Sequence, residues 1–400
     1  MSRVKLFNAR IVTPYRIINN GCVVYENGKI ILVSDGDVQI EDCCEIDVKG
    51  NYVSPGFIDI HTHGGGGHDF MDGTVDAYIG IARMHAQHGT TSMLPTTVAC
   101  AFEELKNTFK VFGKAQKMDT TGAALLGLHL EGPYFSAVQK GALNEKYIKN
   151  PDPDEYNTIL SRSEDILRWS AAPELEGALE FGRHISGKHI LASIGHTDAT
   201  YEQVQLAFEN GFKHITHLYS GMSGVKRINA YRHAGVIESA FLIDEMSVEV
   251  IADGVHLPPS LLKLIYDSKG PSKIALVTDS MRAAGMPDGE SISGSLADGR
   301  KVIVEDGVAK LMDRSAFAGS VATADRLVKT MVESVDIPLT DAIRMMTSTP
   351  ASIIGVSDRK GTVAPGKDAD LVVFDHDINI KMTIVKGNIV CNKEKDISRL

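Results

Sequence analysis

The 400-residue chain predicts an α/β fold: a (β/α)8 barrel of the TIM type, with a small β-sandwich domain assembled from both chain ends. Three observations predict it. Strand-like runs punctuated by Gly and Asn-Gly turns fill the first fifty and last forty residues. Between them, eight β-rich runs alternate with helical stretches, the pattern of a parallel sheet covered by helices. His, Glu and Asp recur where those runs stop, and strand ends of such a barrel share one mouth.

The elements follow in order. VKLFNARIVTP, INNGCVVYENGKIILVSDG and EIDVKGNYVSPG alternate apolar and polar residues with no helix-length segment among them. KGTVAPGKDADLVVFD and INIKMTIVKGNIVCN return to that texture. Neither piece buries a core alone, so residues 1–54 and 358–400 are predicted to form one discontinuous β domain. The barrel is assigned to 55–357. Its runs are Gly56–Ile60, Thr90–Thr96, Ala124–Leu130, Leu167–Ala172, His189–Ile194, Lys213–His217, Ser247–Ala252 and Lys273–Thr278. Helical patterns such as VDAYIGIARMHAQHG, AFEELKNTFKVFGKAQK and YEQVQLAFENG lie between them. Eight strands over roughly 220 residues suit a barrel whose usual size is about 250. ADRLVKTMVESV and LTDAIRMMTSTPASIIG follow as further helices.

Composition narrows the function. The chain is 43% hydrophobic and 23% charged, which excludes a disordered or fibrous protein. Lys plus Arg number 41 against 51 Asp plus Glu, a net charge of −10. That balance argues against nucleic acid and anionic membranes as partners. No apolar run is long enough to span a bilayer, and the N-terminal MSRVKLFNARIV lacks a signal-peptide pattern, so the expected location is the cytoplasm. The five cysteines form no CxxC pair and are expected to be reduced packing residues.

The histidines carry the chemistry. GFIDIHTH places His61 and His63 past the first run, two residues apart and therefore on one face of a strand. Glu131 ends the third run, His196 the fifth, His217 the sixth and Asp279 the eighth, while His256 follows the seventh. Imidazoles and carboxylates gathered at one mouth suit zinc and neighbouring first-row metals. An Asp beside such an ion can move a proton from water to a leaving amine. His129, His85, His88, His184, His189 and His376 are read as structural or solvated, and His68, His214 and His233 have no independent support.

At these residues a resemblance becomes specific. PGFIDIHTHG, the strand-end His, His and Asp, and the closing GTVAPGKDADLVVFD resemble the amidohydrolase superfamily. GLHLEGPYFS, IGHTDAT, THLYSGM, IADGVHLPP and LVTDSMRAAG are similar to its N-acetylglucosamine-6-phosphate deacetylase family across nearly the whole chain. The resemblance implies hydrolysis of the acetamide of a 6-phosphorylated amino sugar. It also implies one or two divalent metal ions per subunit, Zn2+ first, with Fe2+, Co2+ or Mn2+ as alternatives. The fourth run, LRWSAAPE, offers no lysine of the kind that bridges metals in many relatives. By the resemblance, Glu131, His196 and His217 form the principal metal site, and His61 and His63 with Glu131 and Asp279 a second. Some relatives lack the first His pair and use one metal; this chain has it. Asp279 is the implied general base and acid.

On the substrate side, the resemblance implies contacts from Gly141, Ala142, Ser220, Gly221, His256 and Ser320. Arg232 matches an arginine that binds phosphate from the neighbouring subunit of a homodimer, with Lys226 or Arg227 sharing the role. The chain departs from the family at three places. Ser220-Gly221 replaces Asn-Ala, His233-Ala234 replaces Glu-Pro, and Leu143 stands where some members have His. These leave the sugar open, so a deacetylase for another N-acetylhexosamine 6-phosphate, such as N-acetylgalactosamine 6-phosphate, is the alternative. A different amidohydrolase activity and a non-catalytic scaffold are less favoured, since the segments quoted and every candidate ligand are present.

Overall fold

The computed structural model describes residues 3–118 and 121–394. Its barrel strands run in chain order: Phe57–Thr62, Thr90–Thr97, a third strand split into Ala124–Leu125 and Leu128–Glu131, Ile166–Ala171, Leu191–Ile194, Phe212–Ile215, Ser247–Val250 and Ile274–Leu276. Each pairs in parallel with the next. Every expected run is a strand, with ends shifted by at most two residues. The eighth and first strands meet without a ladder. Asp279 N–H donates to His61 O, and His63 and Gly64 N–H donate to Ser280 O, all at 2.9 Å. Asp59 reinforces this seam by accepting from the Thr278 hydroxyl at 2.5 Å and from the Thr278 and His61 amides at 3.3 Å.

Both faces of these strands are buried, and alternation sorts them. Leu128, Leu130, Trp169, Ala171, Ala192, Ile194, Ile215, Val248 and Val250 join the large apolar core under the helices. Their alternates His129, Glu131, Arg168, Ser170, Ser193, His214 and Glu249 are equally buried but polar, and bond to one another across the barrel. Helices such as Val75–Ala86, Phe102–Ala115 and Pro259–Lys269 cover the outside. Thr74 caps the first of these, accepting from Ala77 N–H at 3.2 Å.

The chain ends combine as expected. Strands Arg3–Val12, Ile17–Glu26, Lys29–Ser34, Cys43–Asp47 and Tyr52–Pro55 join Leu371–Phe374, Ile380–Val385 and Asn388–Asn392 in one mixed eight-stranded sheet. The strand Arg3–Val12 divides it: its first half pairs with Cys43–Asp47 and its second with Tyr52–Pro55. Leu6, Ile11, Val23, Ile46, Val53, Leu371, Val373 and Ile384 belong to one apolar core. The five cysteines are free.

One unit has no counterpart in the sequence expectations. Gly289–Ser293, Arg300–Glu305, Val308–Leu311 and Phe317–Ser320 form a four-stranded antiparallel sheet after the eighth barrel strand. Its turn at Asp306-Gly307 has positive φ at both residues, 55° and 73°, the geometry that favours an Asp-Gly hairpin. The sheet has its own small core of Val302, Val304, Ala309 and Leu311 against Met281.

Candidate metal centre

The mouth gathers six side chains into two groups. His61, His63 and Asp279 form one and Glu131, His196 and His217 the other; within each, one ligand atom per residue lies within 4.8 Å of the rest. Glu131 stands between them. Its Oε1 is 3.1 Å from His217 Nε2, 3.4 Å from His196 Nε2 and 3.5 Å from His61 Nε2, and its Oε2 is 3.3 Å from His63 Nε2. Asp279 Oδ1 is 3.3 Å from His63 Nε2 and 3.5 Å from His61 Nε2. Three of these residues sit just past their strands in the left-handed region: His196 at φ 46°, His217 at 26° and Asp279 at 46°. Such backbone costs about 1–3 kcal/mol per residue and persists only where surrounding bonds hold it. Ser320 N–H donates to Asp279 O at 3.0 Å, and Ser220 N–H to His217 O at 2.9 Å.

Three of the four imidazoles are oriented from behind. His61 Nδ1 lies 3.0 Å from Glu249 Oε2, His63 Nδ1 3.2 Å from Thr96 O and His196 Nδ1 2.9 Å from Gln139 O. The Nδ1–H tautomer satisfies these acceptors and turns the Nε2 lone pairs to the mouth. His217 Nδ1 is buried without a hydrogen-bond partner among the described residues. The electrostatics express one need. Burial opposes charge on every group, yet Glu249, Asp279 and Glu131 drive His61 up to about 9, and Asp279 and Glu131 drive His63 well above the usual imidazole range. In return, His61, His196 and His217 hold Glu131 well below the usual carboxylate range, and His61 and His63 lower Asp279. These carboxylates demand positive charge among the nitrogens. A divalent cation supplies it and leaves the imidazoles neutral ligands. The N/O donor set and the closeness of the ligand atoms therefore fit first-row divalent metals.

The expected substrate residues divide. A Cβ on Gly221 would lie 2.9 Å from His196 Nδ1 and 3.2 Å from Gln139 O, and the residue has φ +56°, so glycine fits where a larger residue would press on the ligand. Gly141 also borders His196, its Cβ position 3.9 Å from Cε1. Ala142 lines a cavity of about 460 Å³ with Lys140, Leu143 and Arg300. His256 gives Nδ1 to Asp253 Oδ2 at 2.8 Å, leaving Nε2 for a ligand. Arg232 is exposed on the hairpin Lys226–Ile228/Tyr231–His233, directly across from Arg227. One expectation changes. The hydroxyl of Ser320 is buried and donates to Thr278 O at 2.5 Å, so this residue supports the Asp279 turn instead of offering its side chain to a sugar. Lys226 is ion-paired with Asp198, 2.8 Å from Oδ2.

The model of the Amidohydrolase family matches residues 52–390. The chain belongs to this family. This amidohydrolase is 36% identical over 392 residues to the N-acetylglucosamine-6-phosphate deacetylase of Bacillus subtilis (strain 168), covering 96% of this chain and 97% of that protein. It is 33% identical over 338 residues to the N-acetylgalactosamine-6-phosphate deacetylase of Escherichia coli O157:H7, covering 84% and 87%. A solved structure of an aspartate-to-alanine mutant of N-acetyl-D-glucosamine-6-phosphate deacetylase from Mycobacterium smegmatis, in complex with N-acetyl-D-glucosamine-6-phosphate, superposes with a TM-score of 0.89. It is 29% identical, covering 98% of this chain and 100% of that one. Among the described residues, no helix of this amidohydrolase is long and apolar enough to cross a membrane.

Residues behind the ligands escaped the sequence reading. Glu249 and Arg168 are fully buried and ion-paired, and Arg168 also donates to Ile60 O, Ser193 Oγ and Thr216 Oγ1. Their signal was available. Each is a charged residue in a strand whose alternates are apolar, inside a barrel with both faces covered. His129, read as structural, belongs here too, bonded to Ser170 and Thr96.

Proposed function

We propose that this chain is a metal-dependent deacetylase that hydrolyses N-acetylglucosamine 6-phosphate to glucosamine 6-phosphate and acetate in the cytoplasm. The observation that carries the reading is Glu131, shared at 3.1–3.5 Å by His61, His63, His196 and His217 beside Asp279 at the barrel mouth. The relatives named above supply the substrate class. Glu131, His196 and His217 would hold one divalent ion, and His61, His63 and Asp279 a second, with Zn2+ favoured over Fe2+, Co2+ or Mn2+. An ion there supplies Lewis acidity, lowering the pKa of water toward about 7 and polarising the amide carbonyl.

The protein's own groups do the rest. Asp279 accepts a proton from the attacking water and returns it to the departing amine nitrogen, breaking the C–N bond. Asp253 fixes the His256 ring so that its free edge meets the carbonyl oxygen or the sugar. Arg227 and Arg232 face each other on one rung without an ion-pair partner among the described residues. Like charges so placed repel, and a phosphate dianion relieves them through forked hydrogen bonds. The same hairpin exposes Val225, Ile228 and Tyr231, at 59%, 40% and 76%. We infer from this that a second copy packs there and that Arg232 serves the neighbouring site of a homodimer.

A second reading keeps the chemistry and changes the sugar. Ser220-Gly221 in place of Asn-Ala, with a galactosamine-type relative at 33% identity, favours keeping N-acetylgalactosamine 6-phosphate in view. Acetate release from both hexosamine 6-phosphates and from unphosphorylated N-acetylglucosamine tests the proposal. The expected order places N-acetylglucosamine 6-phosphate first and the unphosphorylated sugar far behind. Equal rates with and without phosphate overturn the phosphosugar assignment, and a faster galactosamine substrate selects the second reading.

A further inference from the structure

One carboxylate beneath the mouth touches both ligand groups. Glu249 Oε2 accepts from His61 Nδ1 at 3.0 Å and from the His217 N–H at 3.1 Å, while Oε1 is ion-paired with Arg168. All four residues are buried. The two ligands depend on it differently. Glu249 is the hydrogen-bond partner of the His61 Nδ1, so it fixes the tautomer that leaves Nε2 facing Glu131 and Asp279, 3.5 Å from each. His217 is bound to Glu249 only through its backbone, and its Nε2 is aimed separately at Glu131. Arg168 in turn spans the barrel: its guanidinium donates to Ile60 O, one residue before His61, and to Thr216 Oγ1, one residue before His217.

We infer that Glu249, held by Arg168, is a positioning residue that makes the His61/His63/Asp279 group competent to hold the second of two ions. The inference rests on the metal-site reading above. The fourth barrel strand, where the sequence shows no bridging lysine, contributes an arginine that anchors this carboxylate below the ligands. An outer carboxylate of this kind orients a histidine ligand and raises its basicity, and its loss typically weakens metal affinity by about 10–100-fold. The effect falls on the second ion, because Glu249 bonds the ring of His61 but touches His217 only at its backbone amide.

The test is metal binding by the full-length protein, stripped with chelator and titrated with Co2+, read by the visible spectrum and by ions retained after dialysis. Two variants are compared with wild type. Glu249→Gln keeps the shape and removes the charge. Arg168→Met combined with Glu249→Gln removes both buried charges, so no unpaired ion is left to unfold the barrel. Wild type is expected to bind two ions. Both variants should keep the first with unchanged affinity and bind the second at least about ten-fold more weakly, with a changed spectrum for that ion alone. Two ions bound with wild-type affinity in both variants overturn the inference. So does equal loss of both ions in step with lower thermal stability, which marks a merely structural role. A wild-type protein that binds no Co2+ at all overturns the metal-site reading itself.

Discussion

The barrel interior and the core of the end sheet are both closed to solvent, yet they bury largely opposite chemistry. In the end sheet, Leu6, Ile11, Val23, Val53, Leu371 and Ile384 pack with no polar partner to satisfy. In the barrel below the mouth, Asp59, His61, His129, Arg168, Ser170, Thr216 and Glu249 are just as inaccessible, and every one is hydrogen-bonded. Apolar packing stabilises by area and tolerates similar shapes. A buried polar network stabilises little, and removing one partner strands the others. The barrel carries this liability because its network aims six ligands at one point, whereas the end sheet carries little of it, chiefly at Lys5, which is buried and ion-paired with Asp37 and Glu45.

The largest expected effect breaks the chemistry without touching either core. Asp279→Asn should lower the rate of acetate release by about 10²–10⁴-fold, the usual contribution of a general acid–base group. The ion at Glu131, His196 and His217 and the thermal stability should remain near wild type, while the ion that loses Asp279 as a ligand is held more weakly; ordinary turnover in the variant removes Asp279 from the proton transfers.

The opposite result is expected from the sheet. Leu371→Ala should destabilise by about 2–5 kcal/mol, the usual range for a buried leucine, while kcat of the folded enzyme stays unchanged. A drop in kcat without lost stability would show that the end sheet reaches the site. At the mouth's edge, Arg232→Ala should raise KM for the 6-phosphate about 10–100-fold, as expected for the loss of charge-assisted bonds of about 1.5–3 kcal/mol. Turnover of the unphosphorylated sugar should not change; if it falls equally, Arg232 is not the phosphate contact.

The smallest effect is in pH. His85 is fully buried beside Gly64 O and Ser280, and burial pushes its ring down to about 4. The unfolded chain, with histidine near 6.5, takes up a proton that the folded chain refuses between about pH 6.5 and 4. This group therefore costs stability as pH falls through that window. His85→Gln should show a smaller fall in Tm from neutral to acid pH than wild type, and an identical fall would contradict the assignment.

Much of this was legible in the sequence, and the reasons are physical. The eight barrel runs show because parallel strands with apolar outer faces leave a strong pattern. The six ligands show because chemistry needs rare residue types at strand ends. Glu249 and Arg168 did not, since a charged residue in a strand ordinarily signals a solvated face, and only a closed barrel covered by helices reverses that meaning. The sheet at 289–320 was missed because its first two strands are half exposed and stand outside the alternation of strands with helices. Ser320 was assigned to substrate by resemblance; its bond to Thr278 O exists only in the folded chain.

The central claim is that the polar barrel interior exists to hold divalent metal for amide hydrolysis. It is tested most directly by measuring acetate release from N-acetylglucosamine 6-phosphate before chelation, after complete metal removal and after adding Zn2+ or another divalent ion back. Turnover is expected in the first sample, none in the second and recovery in the third. Undiminished turnover by the metal-free protein would contradict it.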